Sequence, residues 1–146
     1  MKFAALLLAA AATLTTATYI DGLGGFEYCK DDNNYRITLD TVNLCPTTLT
    51  RGEPFSLHVN GTSATSLSSS TTLEMKFKKG IHKKSLDPAP VCDSKKMSCP
   101  TQEVDVRADA VVPEKIHHGE WKFTVKIRDG KKELACFKTK VRVEKP

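Results

Sequence analysis

The residues of this chain best able to do chemistry are its five cysteines, four histidines and many lysines. Cys29, Cys45, Cys92, Cys99 and Cys136 could bind metal, act as nucleophiles or form disulfides. An odd number cannot all pair within one chain. The interval from Cys92 to Cys99 is too long for the usual zinc knuckle. His117 and His118 are adjacent, and neighbours on a strand point to opposite faces, so they make poor joint metal ligands. No metal site is expected. Ser, His and Asp are all present, yet there is no Gly-x-Ser-x-Gly elbow and no His-Glu-x-x-His helix. No catalytic residue is assigned, an enzyme is not expected, and nothing calls for a cofactor.

What the cysteines do depends on compartment. Lys2 precedes an unbroken apolar run from Phe3 to Ala12, and small residues follow up to Thr18. This order predicts a secretory signal peptide over residues 1–18, cleaved near Ala17 or Thr18, and a single domain over 19–146. The run is about half the ~20 residues a spanning helix needs. The product is expected to be secreted, or lumenal in the endolysosomal or vacuolar pathway. In such an oxidising space the thiols are disulfide candidates first. Asn60-Gly61-Thr62 then becomes a usable glycosylation sequon at Asn60.

The elements that position these residues read as strands. Phe55, Leu57 and Val59 alternate with Ser56 and His58. Leu73, Met75 and Phe77 alternate with Glu74, Lys76 and Lys78. The same period of two runs through Val104 to Ala110, Trp121 to Arg128, and Phe137 to Glu144. It marks half-buried strands. Ile37 and Leu39 share one phase while Val42 and Leu44 share the other, which predicts a bulge or bend near Asp40. Lys79-Gly80, His118-Gly119 and above all Asp129-Gly130 supply turns. Thr62 to Thr72 is mostly Ser and Thr, and reads as a solvated loop or a polar edge strand. At least six short strands describe an all-β, immunoglobulin-like antiparallel β-sandwich or a barrel, and one apolar face per strand favours the sandwich.

Size and composition set bounds. At 146 residues the chain suits one domain and excludes a two-domain enzyme with a full cofactor-binding half. Hydrophobic residues make up 40% and charged residues 27%, which argues against wholesale disorder. The net charge of +5 permits an anionic partner without naming one.

The ordered frame is more specific than any of its parts. Phe26-Glu27-Tyr28-Cys29 comes first, then Cys45-Pro46 and Arg51-Gly52-Glu53-Pro54-Phe55. Asp87-Pro88 precedes Cys92 and Cys99-Pro100; Pro113 and Gly119-Glu120-Trp121 follow, and Leu134-Ala135-Cys136-Phe137 closes the set. From about Phe26 to Val143 this resembles the ML domain, a lipid-recognition family that includes sterol carriers, fungal phosphatidylglycerol/phosphatidylinositol transfer proteins and group-two mite allergens. The resemblance implies disulfides Cys29–Cys136 and Cys92–Cys99. Chain entropy credits the first with about 4.7 kcal/mol and the second with about 2.5 kcal/mol. Six-cysteine members carry a third bridge whose first half matches Cys45, but its partner would fall near Thr50. Cys45 is therefore expected to be unpaired, as a buried inert thiol or, alternatively, in a Cys45-linked dimer of an otherwise monomeric protein.

The resemblance also implies an apolar cavity between the sheets. Its candidate walls are Phe55, Leu57, Val59, Leu73, Met75, Phe77, Val106, Trp121, Phe123, Val125 and Val141. Periodicity alone describes a closed core; only the resemblance turns these residues into cavity walls. The expected mouth is Ile81, Leu86, Val112 and Ile116, with Lys83 and Lys84 on a basic rim. Sterol-carrying members place proline-rich, aromatic residues there, so this rim suits an anionic headgroup better than a sterol hydroxyl. The function implied is lipid binding and transfer, of a sterol or an anionic phospholipid. The alternative is a lipid-recognition module in innate immune or receptor signalling.

Basic clusters stand at Lys76, Lys78, Lys79, Lys83 and Lys84, at Lys95 and Lys96, and at Lys131 and Lys132, and a basic cluster can serve nucleic acid. That use wants aromatics on an exposed face, and here the aromatics share the inward phase. No nucleic-acid partner is expected. Transient contact with anionic membrane surfaces fits these clusters better.

Overall fold

The computed structural model describes residues 24–30, 34–93 and 97–146. The expected signal peptide and the Lys95–Lys96 cluster lie outside them. Ten strands are described and no helix. They are β1 (Glu27–Tyr28), β2 (Ile37–Cys45), β3 (Thr48–Thr50), β4 (Pro54–Leu67), β5 (Thr71–Lys79), β6 (His82–Ser85), β7 (Ala89–Pro90), β8 (Thr101–Val111), β9 (Gly119–Asp129) and β10 (Lys132–Glu144).

Two sheets form. The larger has seven strands in the order β1-β10-β9-β5-β6, with β3 on β10 and β7 on β5. The smaller has three, in the order β2-β4-β8. All pairs are antiparallel except β3 with β10, which run parallel. This is the all-β sandwich that the alternating pattern predicts. The inward faces meet in one continuous apolar core reaching from Phe26 to Val143.

Local chemistry explains the joints. Asp129 pairs with Lys132, so Gly130 and Lys131 form a tight hairpin turn, and Gly130 takes φ +64°. The β5–β6 turn is built alike, with Lys79 opposite His82 and Gly80 at φ +59°. The register between β2 and β4 shifts between Leu39 and Thr41, which bulges Asp40 and lets Leu39 and Val42 both point inward. Gly61 sits opposite this bulge, where a Cβ would run into the Thr38 carbonyl oxygen.

The Ser/Thr-rich stretch departs from its sequence reading. As far as Leu67 it is neither loop nor edge. It is the end of β4, the central strand of the three-stranded sheet, paired with β2 through Thr62 and Ser63 and with β8 through Thr62 and Leu67. Only Ser68 to Ser70 turn the chain, and Thr71 is buried, with its hydroxyl accepting from the Ser68 amide at 3.0 Å.

Candidate functional site: the inter-sheet space and its closure

Every candidate wall residue is buried. The seven-stranded sheet contributes Leu73, Met75, Phe77, Trp121, Phe123, Val125 and Val141; the three-stranded sheet contributes Phe55, Leu57, Val59 and Val106. Side chains fill the centre of the space between them. Phe123 lies 5.0 Å from Phe77 and 6.0 Å from Phe55, ring centre to ring centre, and Phe55 lies 6.4 Å from Phe77. Edge-on and tilted rings of this kind interlock at distances typical of aromatic cores. No charged residue is among the buried side chains described.

The expected mouth is arranged differently from its sequence reading. Val112 and Ile116 are 0% exposed, so they plug the end of the sandwich instead of lining an opening. Pro113 turns the chain back, and the Ile116 amide donates to the Pro113 carbonyl at 3.4 Å, which carries Ile116 inward. Backbone bonds from Gly52 to the Val112 carbonyl and from Val112 to the Glu53 carbonyl hold one side of this loop. Three side chains hold the other. Trp121 Nε1 donates to the His117 carbonyl at 2.8 Å, Lys79 Nζ to the His118 carbonyl at 3.3 Å, and Arg51 Nη1 to the Ile116 carbonyl at 3.5 Å. Lys79 Nζ also stands 5.9 Å from the Trp121 ring, and the His82 and His117 rings meet at 5.6 Å. Sequence reading missed this closure, because a loop carries no periodic signal and backbone acceptors carry no residue type.

Ile81 is on the outside of the same end, at the tip of the β5–β6 turn. Lys84 pairs with inward-facing Phe77, so it belongs to the inter-sheet side of the edge, whereas Lys83 pairs with outward-facing Lys78. Leu86 is half-buried and its amide donates to the Met75 carbonyl at 3.0 Å. Between β6 and β7 the edge is interrupted, and Leu86, Asp87 and Pro88 rim a cleft of about 370 Å³ that includes Met75. Thus one expected wall residue, itself buried, and one expected mouth residue border the same surface cleft at the side of the sandwich, together with Glu74 and Lys76.

The cysteines take defined places. Cys29 bonds to Cys136, and the Cys29 amide donates to the Cys136 carbonyl at 2.9 Å, stapling the chain just past β1 to β10. Cys92 bonds to Cys99 beside a surface cleft of about 450 Å³ that also includes Met97. Cys45 is unpaired and exposed, which corrects the expectation of a buried thiol. It ends β2, where the chain turns through Pro46 to the short β3. Asn60 stands on the outward face of β4, half-buried, with Nδ2 donating to Thr41 Oγ1 at 3.2 Å.

Two sheets whose inward faces are apolar, with a tethered loop plugging one end, define an all-β sandwich with an uncharged interior. A family profile described as the ML domain matches residues 25–143. The chain belongs to the ML-domain family, whose business is lipid binding. One similar solved structure is titled "Crystal structure of a Niemann-Pick type C2 protein from Japanese carpenter ant". It aligns over 82% of this chain and 98% of its own length, with a TM-score of 0.66 and 11% identity. At that identity the likeness concerns the fold. No curated protein sequence matches the chain.

Proposed function

We propose that this protein binds one lipid between its sheets and carries it between membranes, outside the cytosol. The observation that carries the reading is the membership of residues 25–143 in the ML family together with an uncharged inter-sheet face. Each CH₂ moved from water into such a space gains about 0.8 kcal/mol, so a sterol or acyl chain needs few directed contacts. Entering the space means parting the Phe55, Phe77 and Phe123 rings and withdrawing Val112 and Ile116 from the loop end, or passing the Leu86 cleft. The closing groups favour an anionic headgroup over a neutral one. Lys79, Lys84, His82 and His117 gather there, and they would meet a phosphate as the apolar tail goes in.

Native mass spectrometry of the protein from its producing cells tests the reading directly, because bound lipid appears as added mass. Transfer between vesicles then ranks anionic phospholipid, neutral phospholipid and sterol. The expected order puts the anionic phospholipid first. No added mass and no transfer of any of the three would leave a closed sandwich acting through its surface.

A further inference from the structure

Strand register brings Lys83, Lys78, Lys122 and Lys140 directly opposite one another across β6, β5, β9 and β10. Their sequence neighbours Phe77, Trp121, Phe123 and Val141 point inward, so this row is on the outer face of the seven-stranded sheet. All four lysines are exposed. Strands lie about 4.8 Å apart, so the row runs about 14 Å. Lys76 and Lys138 flank it, both opposite Thr124. Lys122, Lys138 and Lys140 share a shallow cleft of about 410 Å³ with Gly25, Glu27 and Thr139.

Like charges placed directly opposite one another weaken a sheet. Toward its other end the same face avoids this. There Lys126 pairs with Glu133 and Arg128 with Glu74, each at 3.6 Å. Among the described residues, none of the four lysines of the row forms an ion pair. The unneutralised lysines therefore lie toward the end closed by the 112–118 loop, beside Arg142, Glu120 and Glu144, of which Arg142 and Glu144 form an ion pair at 3.6 Å. The two exposed large hydrophobic residues described are at that end as well. Ile81, 91% exposed, tips the hairpin that carries Lys78 and Lys83, and Val111, 53% exposed, ends β8 just before the closing loop.

We propose that this end docks on an anionic bilayer, the lysine row against lipid phosphates and Ile81 in the boundary between headgroups and acyl chains. A dissolved polyanion would use the lysines and leave Ile81 in water; a lipid surface uses both. The inference rests on the lipid-carrier reading for its purpose, and it places the closing loop against the membrane that supplies or accepts the lipid.

Vesicle co-sedimentation of the full chain tests it, with phosphatidylcholine alone and with phosphatidylcholine mixed with phosphatidylglycerol. The protein should bind the mixed vesicles, and less so as salt rises. The double substitution Lys78→Gln, Lys122→Gln should weaken partitioning about fivefold per lysine. The charge-matched pair Lys131→Gln, Lys132→Gln, in the β9–β10 turn and at the start of β10 at the opposite end, should leave it near wild type. Ile81→Ser should weaken binding about tenfold, even where salt has removed most of the charge attraction. Equal losses from the two lysine pairs would overturn the proposal, as would no effect of Ile81→Ser. Capture on dextran sulfate beads without vesicle binding would overturn it too, in favour of a soluble polyanion. Vesicle binding with no lipid in the native mass spectrum and no transfer between vesicles would sink the carrier reading and leave the docking face standing.

Discussion

Trp121 donates its indole N–H to the His117 carbonyl at 2.8 Å, so the single tryptophan is both an inner side chain and a tether of the closing loop. Lys79 and Arg51 add bonds to the neighbouring carbonyls of His118 and Ile116. Each tether contributes about 1 kcal/mol and each is replaceable by water. Trp121→Phe keeps a ring in the core and removes one tether. It should cost about 1–2 kcal/mol in urea unfolding and speed lipid uptake from vesicles. Unchanged uptake would mean that the 112–118 loop is not the gate.

The lone indole is also a built-in probe. At 1% exposure its emission should be blue and resistant to acrylamide quenching. If lipid enters by displacing the loop, titration with anionic phospholipid vesicles should shift the emission and raise quenching during uptake. Equal quenching before, during and after uptake would point to the side cleft at Leu86 as the route.

The aromatic trio gives a second handle. Phe123 touches Phe77, Phe55 and Phe26, with ring centres 5.0 to 6.2 Å away. Phe123→Ala should cost the lipid-free protein about 3–5 kcal/mol, since packed side chains relax only partly around a void. In the lipid-loaded protein the deficit should shrink, because ligand bound to the native state adds stability and can occupy the space. Denaturant unfolding of delipidated and loaded protein makes the comparison. An identical deficit in both would show that lipid never reaches the ring.

Much of this architecture is legible in the sequence, for a physical reason. A strand with one wet face must alternate, so Phe55 to Val59, Leu73 to Phe77 and Trp121 to Ile127 announce both their conformation and their inward side. Even the Asp40 bulge shows, because Leu39 and Val42 cannot both face inward without an extra residue. Small polar residues give no such contrast, and the Thr62–Leu67 part of β4 was hidden for that reason. Pairing partners are hidden too. The outward parity of Lys78, Lys122 and Lys140 is visible in the chain, but that they form one row depends on register, which is set by turns and bulges far apart in sequence. Val112 and Ile116 read as mouth residues because nothing local reveals that Pro113 turns the chain inward.

Gly61 separates two reasons for needing glycine. Its backbone angle is ordinary, but a Cβ there meets the Thr38 carbonyl and comes within 3.1 Å of Leu39 Cα. Neither neighbour is a flexible tip. Gly61→Ala should therefore cost about 1–3 kcal/mol through forced backbone shifts. Gly130 has open space around its missing Cβ but a φ of +64°, so Gly130→Ala should cost about 1–2 kcal/mol from conformation alone. A further substitution to Leu, which adds volume without branching at Cβ, compared by thermal melting, should hurt far more at 61 than at 130. Equal increments would mean that the bulge opposite Gly61 can move away.

Cys45 is the one described cysteine whose thiol is free, and it is exposed, while Cys29–Cys136 and Cys92–Cys99 are paired. Native, unreduced protein should take up one maleimide, and Cys45→Ser should take up none. A disulfide-linked dimer on non-reducing gels, if one forms, should vanish with the same substitution. Cys45→Ser should leave the melting temperature almost unchanged, because the side chain is exposed and the change is nearly isosteric. The paired Cys29→Ser, Cys136→Ser variant should lose about 2–5 kcal/mol, since a long loop in the unfolded chain is no longer closed. It should also free β1 from β10, loosening Phe26 from Phe123 and Phe137. A lipid-free melting point that falls as far for Cys45→Ser as for the double variant would contradict this division between a structural bridge and a free surface thiol.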